Sequence, residues 1–279
     1  VILIVIRFIT LNFFLNFGSS DSINIKQLWK SKISFTEVKH IVFNNWPFII
    51  IGSVSIIFWR IGNLIISKTL TLADVANYEV SYRIFSIALI LPLIFSTSVF
   101  PSLVSVYNSG NRQKLTGHFH KLFALYFIYS LLTYTFFYSF SDAIIPFAFG
   151  EKYLHNAVYT KQMFLTILVF PTALLQANVL VAVRMEKADM WLNIISLIVS
   201  VLFCVIGLSY YKSLTVVNLA IFTSFFIFHL FQDGLLIKYK VTTLGHVLKF
   251  YIITGALVGI YILLSDVVQP VWLYPVFWG

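Results

Sequence analysis

Arg60 stands inside an apolar run, Ile41 to Ser67, seven residues before its end, so at 1.5 Å per residue it belongs about 10 Å below that end. A cation at such depth faces a bundle interior or a water-filled cavity. Ser53 and Ser67 recur on the same face at seven-residue spacing, and Asn63 follows Arg60 by one turn, so the run carries a polar stripe. Two readings stand: a binding role in a cavity, and a structural pair or buried anchor. Arg83, at the edge of the next run, has Glu79 four residues earlier on the same helix face. That spacing suits an interfacial ion pair. Because the two runs form a hairpin, it also puts Arg60 and Arg83 at similar depth, where they would make a cationic pocket. His229 and Asp233 are four residues apart and able to share a proton, the chemistry of an ion-coupling site. Their place within about one turn of the end of their run favours an interfacial role. Pro92 should free the carbonyl of Ala88 and Pro171 that of Ile167, as ordinary kinks or as hinges. Pro171 is the better hinge candidate, since Thr172, Gln176 and Asn178 follow within two turns. Pro47 and Pro101 also fall in or beside apolar runs.

No enzyme signature accompanies these residues. There is no HExxH, no nucleophile elbow, no Walker loop, and no carboxylate pair beside a connector large enough to hold a catalytic site. The longest non-basic connector, Ser141 to Gln162, offers Asp142 and Glu151, and Asn156 lies within it. Asp142 and Asp266 read as helix-end residues. The single cysteine, Cys204, sits in an apolar run, which leaves no disulfide framework and no thiolate metal site. Catalysis, a metal and a cofactor are therefore not expected. Tyr126, Tyr129, Tyr134 and Tyr138 crowd the fourth run, as a chain with 15 tyrosines would be expected to show.

The elements that must position these residues are membrane helices. Of 279 residues 59% are hydrophobic, 18% aromatic and only 10% charged, against roughly a quarter charged in soluble domains. Eight apolar runs are long enough to cross a bilayer: Val1 to Phe17, Ile41 to Ser67, Ile84 to Val104, Leu122 to Phe140, Met163 to Val183, Met190 to Tyr210, Leu214 to Leu236 and Val247 to Leu264. The fold class is an all-α, polytopic helical bundle. Connectors alternate in basicity: Gly18 to His40, Tyr107 to Lys121, Arg184 to Asp189 and Ile237 to Lys249 carry twelve of the 19 cations, and the intervening ones carry four. By the positive-inside rule the basic side is cytoplasmic. The net charge of +9 thus belongs to loops and not to a nucleic-acid surface. The connector of residues 18–40 is polar, basic and contains Trp29, as an interfacial linker between bundles would. The chain opens on Val1 within an apolar run and reaches Trp278-Gly279 as another begins, the pattern expected of a piece of a longer protein.

Several stretches carry a family likeness. Arg60-Ile61-Gly62-Asn63-Leu64-Ile65-Ile66, followed by Val75-Ala76-Asn77-Tyr78-Glu79-Val80-Ser81-Tyr82-Arg83-Ile84, resembles a hairpin of the polysaccharide-export flippases in the multidrug/oligosaccharidyl-lipid/polysaccharide exporter superfamily. That family runs Asp-Arg, apolar residues, a turn, then Val-Gly-x-Tyr-x-x-Ala-Tyr-Arg-Ile. Phe100-Pro101-Ser102-Leu103 with Gly110-Asn111-Arg112-Gln113-Lys114-Leu115, and Phe149-Gly150-Glu151-Lys152-Tyr153-Leu154, agree in order and spacing, so the likeness covers Asn45 to Ala157. Trp59 stands where many relatives have Asp, and Ala76 where many have Gly, so a coupling role for that acid does not carry over.

The resemblance implies that residues 1–17 are the last helix of a first bundle, 18–40 a cytoplasmic linker, and 41–279 a second bundle of an alternating-access pair. It implies export of a polyprenyl-pyrophosphate-linked oligosaccharide, of O-antigen or capsule type, across a bacterial inner membrane. The partners would be that lipid, the bilayer and the polysaccharide polymerase machinery. Arg60, Arg83, Asn63 and Ser53 would then bind substrate, since arginine offers phosphate oxygens a fixed fork. A drug/cation antiporter of the same superfamily would need an acid-lined cavity. A membrane polysaccharide polymerase would need a large outer loop or a His/Asp catalytic set.

Overall fold

The computed structural model describes residues 34–279. The predicted span Val1 to Phe17 and most of the predicted linker lie outside the described residues. The chain divides at Pro47, where a second, compact unit of residues 47–279 begins. The first described helix, α1 (Phe35–Thr69), starts before that point and continues past it. Its start is set by Ser34: the Ser34 amide donates to the Glu37 carboxylate at 3.2 Å and the Ser34 hydroxyl accepts from the Thr36 amide at 3.3 Å, a variant of the reciprocal capping that ends helices. The predicted linker therefore stops earlier than expected, and Phe35 to His40 are helical turns.

In the second unit α1 continues into α2 (Leu72–Asn108), α3 (Arg112–Phe149), α4 (Asn156–Met163), α5 (Phe170–Ala182), α6 (Glu186–Tyr210), α7 (Leu214–Lys238), α8 (Leu244–Ser265) and α9 (Pro270–Trp278). Seven helical stretches among the described residues are long and apolar enough to cross a membrane, α4 and α5 counting as one, and they coincide with the seven predicted runs from Ile41 onward. The chain is a multi-pass, all-helical membrane protein. Helices α1 to α3 have 35, 37 and 38 residues, longer than the roughly 20 that hydrocarbon requires. Their polar ends reach beyond the apolar runs, which is why the runs understated them.

The connectors place the helices up and down. Three basic ones meet at one end: Tyr107, Asn111, Arg112, Val183, Tyr239 and Lys240 rim a common depression of about 580 Å³. At the opposite end α2 begins with a capping box, Thr71 and Asp74 exchanging hydrogen bonds. There Lys161 also pairs with Asp142 at 2.5 Å. Asp142 thus lies within α3, two turns before its end, and not at a terminus.

The prolines act as the missing N–H dictates. α2 runs unbroken through Pro92, and the Ala88 carbonyl it frees accepts the Tyr129 hydroxyl from α3. The Tyr126 hydroxyl reaches the Pro92 carbonyl at 3.4 Å. The other predicted hinge differs. Pro171 opens α5 directly after a 3-10 turn, Phe164–Leu168, so the membrane-crossing stretch is broken there into α4 and α5. Tyr78, Phe85, Phe164, Ile167, Val217 and Phe225 are among the residues of the main core.

Candidate functional site

The α1/α2 hairpin is held by two contacts. Tyr78 seats its ring over Gly62, where an added Cβ would lie 2.9 Å from the hydroxyl. At the next residue of each helix the Asn63 amide donates to the Glu79 carboxylate. The expected Glu79–Arg83 ion pair does not form: Glu79 is engaged by Asn63, and among the described residues the ion pairs are Lys161–Asp142 and His229–Asp233.

That register decides where the arginines stand. Arg60 precedes Asn63 by three residues and Arg83 follows Glu79 by four, so in this antiparallel pair both lie one turn deeper than the Asn63–Glu79 bond, on its flank. Counted from the hairpin tip, nine and eleven residues give depths of about 14 and 17 Å. Both side chains are exposed. Ser53, two turns further along, is exposed as well and donates its hydroxyl to the Ile49 carbonyl at 2.8 Å. Ser67 likewise bonds Leu64 at 2.8 Å. The polar stripe is real as a surface, but its serines are satisfied by their own helix.

Trp59, the neighbour of Arg60, points elsewhere. Its ring packs against Tyr82, Phe85, Phe170 and Phe225, with centroids 5.4 to 6.1 Å away. This aromatic nest walls a cavity of about 230 Å³ whose polar residues include Asp189, Asn193 and Ser196 of α6.

His229 and Asp233, near the end of their run, are buried against neighbouring helices. Their side chains are 0% and 5% exposed and 3.0 Å apart, because α7 continues past the apolar run to Lys238 and its last turns are covered by α5 and α8. Tyr251 of α8 donates to Asp233 at 2.7 Å and contacts His229 Nδ1 at 2.6 Å. Thr172 of α5 meets His229 Nε2 at 3.0 Å, and Gln176 donates to Asp233 at 2.6 Å. Thr172 and Gln176, after Pro171, therefore belong to a buried polar cluster, while Asn178 turns to Ser96 Oγ at 2.6 Å.

A neighbouring carboxylate went unrecognised in the sequence. Asp189 was counted with a basic connector, yet it is 1% exposed in the first turn of α6. It accepts from Asn193 at 3.2 Å and from Gln232 at 3.3 Å. The available signal was its place three residues after Glu186 at the start of an apolar run, where a helix N-terminus favours an acid. Among the described residues no group of three or more His, Cys, Asp or Glu side chains is arranged to hold a metal ion.

A family model described as "Polysaccharide biosynthesis protein" matches residues 4–158, which include the hairpin with both arginines and the Tyr126/Tyr129 brace. No curated protein sequence and no solved structure matches the chain.

Proposed function

Because the chain belongs to a family of polysaccharide biosynthesis proteins, we propose that it is a flippase. In this reading it carries a polyprenyl-pyrophosphate-linked oligosaccharide, an O-antigen or capsule repeat unit, from the inner to the outer leaflet of the bacterial inner membrane. It works by alternating access, transports without catalysing a reaction, and hands its cargo to polysaccharide polymerase machinery. The observation that carries the reading is the register of the α1/α2 hairpin, in which Arg60 and Arg83 both lie one turn deeper than the Asn63–Glu79 bond, at similar depth and exposed. A pyrophosphate cannot cross hydrocarbon without counter-charge, and arginine stays charged at any depth. The basic connectors, gathered at one end, set that end in the cytoplasm.

The test is export by the full chain in a strain lacking its own flippase, with protein level measured alongside. Arg60→Ala should lower surface polysaccharide about ten- to a hundred-fold at normal abundance, the loss expected for one charge-assisted hydrogen bond. Arg60→Lys, which keeps the charge and loses the fork, should fall between. Arg83→Ala should be comparably severe, because Glu79 is engaged by Asn63 and does not hold Arg83 in reserve. Wild-type export by Arg60→Ala at normal abundance would remove the phosphate site. Loss of protein in step with export would make Arg60 a structural anchor.

A further inference from the structure

We infer that the buried cluster of His229, Asp233 and Tyr251 is a proton-binding site, loaded from the basic end through the cavity that His120 and His246 flank. It does not depend on the lipid that is carried.

The hydrogens around the cluster can be counted. Tyr251 Oη, Asp233 Oδ2 and His229 Nδ1 form a triangle with sides of 2.7, 2.6 and 3.0 Å. Three such contacts need at least two hydrogens. On the far side of the imidazole, Nε2 meets the Thr172 hydroxyl at 3.0 Å, and that hydroxyl also reaches the Val169 carbonyl at 2.9 Å. Thr172 has one hydrogen and two acceptors. If it serves Nε2, a neutral imidazole carrying hydrogen on Nδ1 completes the triangle with Tyr251, and the cluster holds a carboxylate with a net charge of −1. If it serves Val169, Nε2 must supply its own hydrogen, and the cluster then holds one proton more and no net charge. The Val169 carbonyl is satisfied either way, since it accepts the Ala173 amide at 2.9 Å. A hydroxyl rotation therefore accommodates the added proton without moving a heavy atom.

Electrostatics favours taking that proton. A buried carboxylate without a counter-charge is costly, and a proton shared within the pair removes the net charge. Among the described residues no Lys or Arg pairs with Asp233. α5 contributes only uncharged Thr172 and Gln176; α6 contributes Asp189, reached through Gln232; α3 brings His120; α8 brings His246, Lys249 and Tyr251. Lys249 lines the cavity, but the one ion pair of Asp233 among the described residues is with His229.

Access is built as well. A cavity of about 240 Å³ between α3 and α8 has Asp233 on its wall, and Phe119, Phe123, Phe250, His120, Thr242 and His246 around it. The two imidazoles stack with ring centroids 3.9 Å apart and planes 12° from parallel. Each ring is tied to a threonine at the start of α8: His120 to Thr242 at 3.1 Å and His246 to Thr243 at 3.0 Å. Two charged rings at that separation repel, so the pair holds one proton at a time and passes it on. The proton is delivered by hydronium reaching the cavity, which leaves a neutral water behind, and nothing leaves the cluster when it binds.

The experiment is infrared difference spectroscopy on the full chain in liposomes, with acid pulses across about pH 5 to 8, the range in which imidazoles change charge. The wild-type minus His229→Gln difference should contain an acid-induced imidazolium band, and Asp233→Asn should lose that band from the same range. If His229→Gln does not accumulate, the Asp233→Asn comparison decides alone. His120→Gln and His246→Gln should keep the band's amplitude and slow its appearance at least about ten-fold, as loss of a proton-transfer group does. No imidazolium band attributable to His229 would overturn the site. A sodium-dependent, proton-independent change in its place would make it a cation site and overturn the proton assignment. A band that rises at wild-type speed in both His120→Gln and His246→Gln would overturn the route.

Discussion

Arg60 and Trp59 are neighbours in the chain and opposites in the fold. One helical step turns Arg60 to the exposed flank and Trp59 into a nest of four aromatic rings. The Trp59 side chain is therefore held by apolar and aromatic packing. Trp59→Asp would place a carboxylate against Phe85, Phe170 and Phe225, and losing the indole alone should cost about 3–5 kcal/mol. Protein abundance should drop severalfold, whereas Trp59→Phe keeps the nest and should stay close to wild type in quantitative immunoblots of membrane fractions. Equal abundance of Trp59→Asp would mean that this position still serves a polar role. At this scale the sequence disclosed less than the fold does. Arg60 was legible because a lone cation in an apolar run has few explanations. The burial of His229 and Asp233 was not legible, because their covering partners, Tyr251 and Gln176, come from helices 18 and 57 residues away.

Helices were the more legible level, since a run of about 20 apolar residues has one stable answer in lipid. All seven runs beyond residue 40 became membrane-length helices, and the proline in the fifth marked the place where that run breaks. What the pattern could not give was how each break is compensated. In α2 the Ala88 carbonyl freed by Pro92 is taken by Tyr129, 41 residues on. Tyr129 was read as one of many tyrosines and in fact supplies the hydrogen bond to the carbonyl that Pro92 leaves free. Tyr129→Phe should lower the melting temperature of the purified protein in detergent, by the roughly 0.6 kcal/mol typical of interhelical hydrogen bonds in membranes and up to about 1.7. Tyr126→Phe should cost less, because its bond to Pro92 is long at 3.4 Å. The α6/α7 hairpin shows the steric counterpart: a Cβ on Gly207 would come within 2.5 Å of Val216 Cγ1, so the small residue there permits a close helix approach.

Orientation belongs to the molecule as a whole, for it rests on the sum of loop charges and not on any one of them. Twelve cations in the basic connectors against four in the others predict that the basic side is cytoplasmic. Every helix contributes a vote, and one spurious helix would have broken the alternation. Three of the four basic connectors then converge on a single depression, as they must if the count of crossings between them is right. Cysteine labelling of intact cells tests the sign. The native Cys204 is buried and should stay silent. Asn156, in the long outer connector by sequence, is a poor reporter: it is fully buried in the first turn of α4, and a label there would report packing. Lys152 in the preceding 3-10 turn and Gln113 in the first turn of α3 are both exposed and lie at opposite ends. Lys152→Cys should react with a membrane-impermeant maleimide from outside, and Gln113→Cys should react only after the cells are opened. The reverse pattern would invert the molecule. It would put the His120/His246 cavity on the outer side and turn the proton site into one loaded from there, while leaving the hairpin register and its two arginines where they stand.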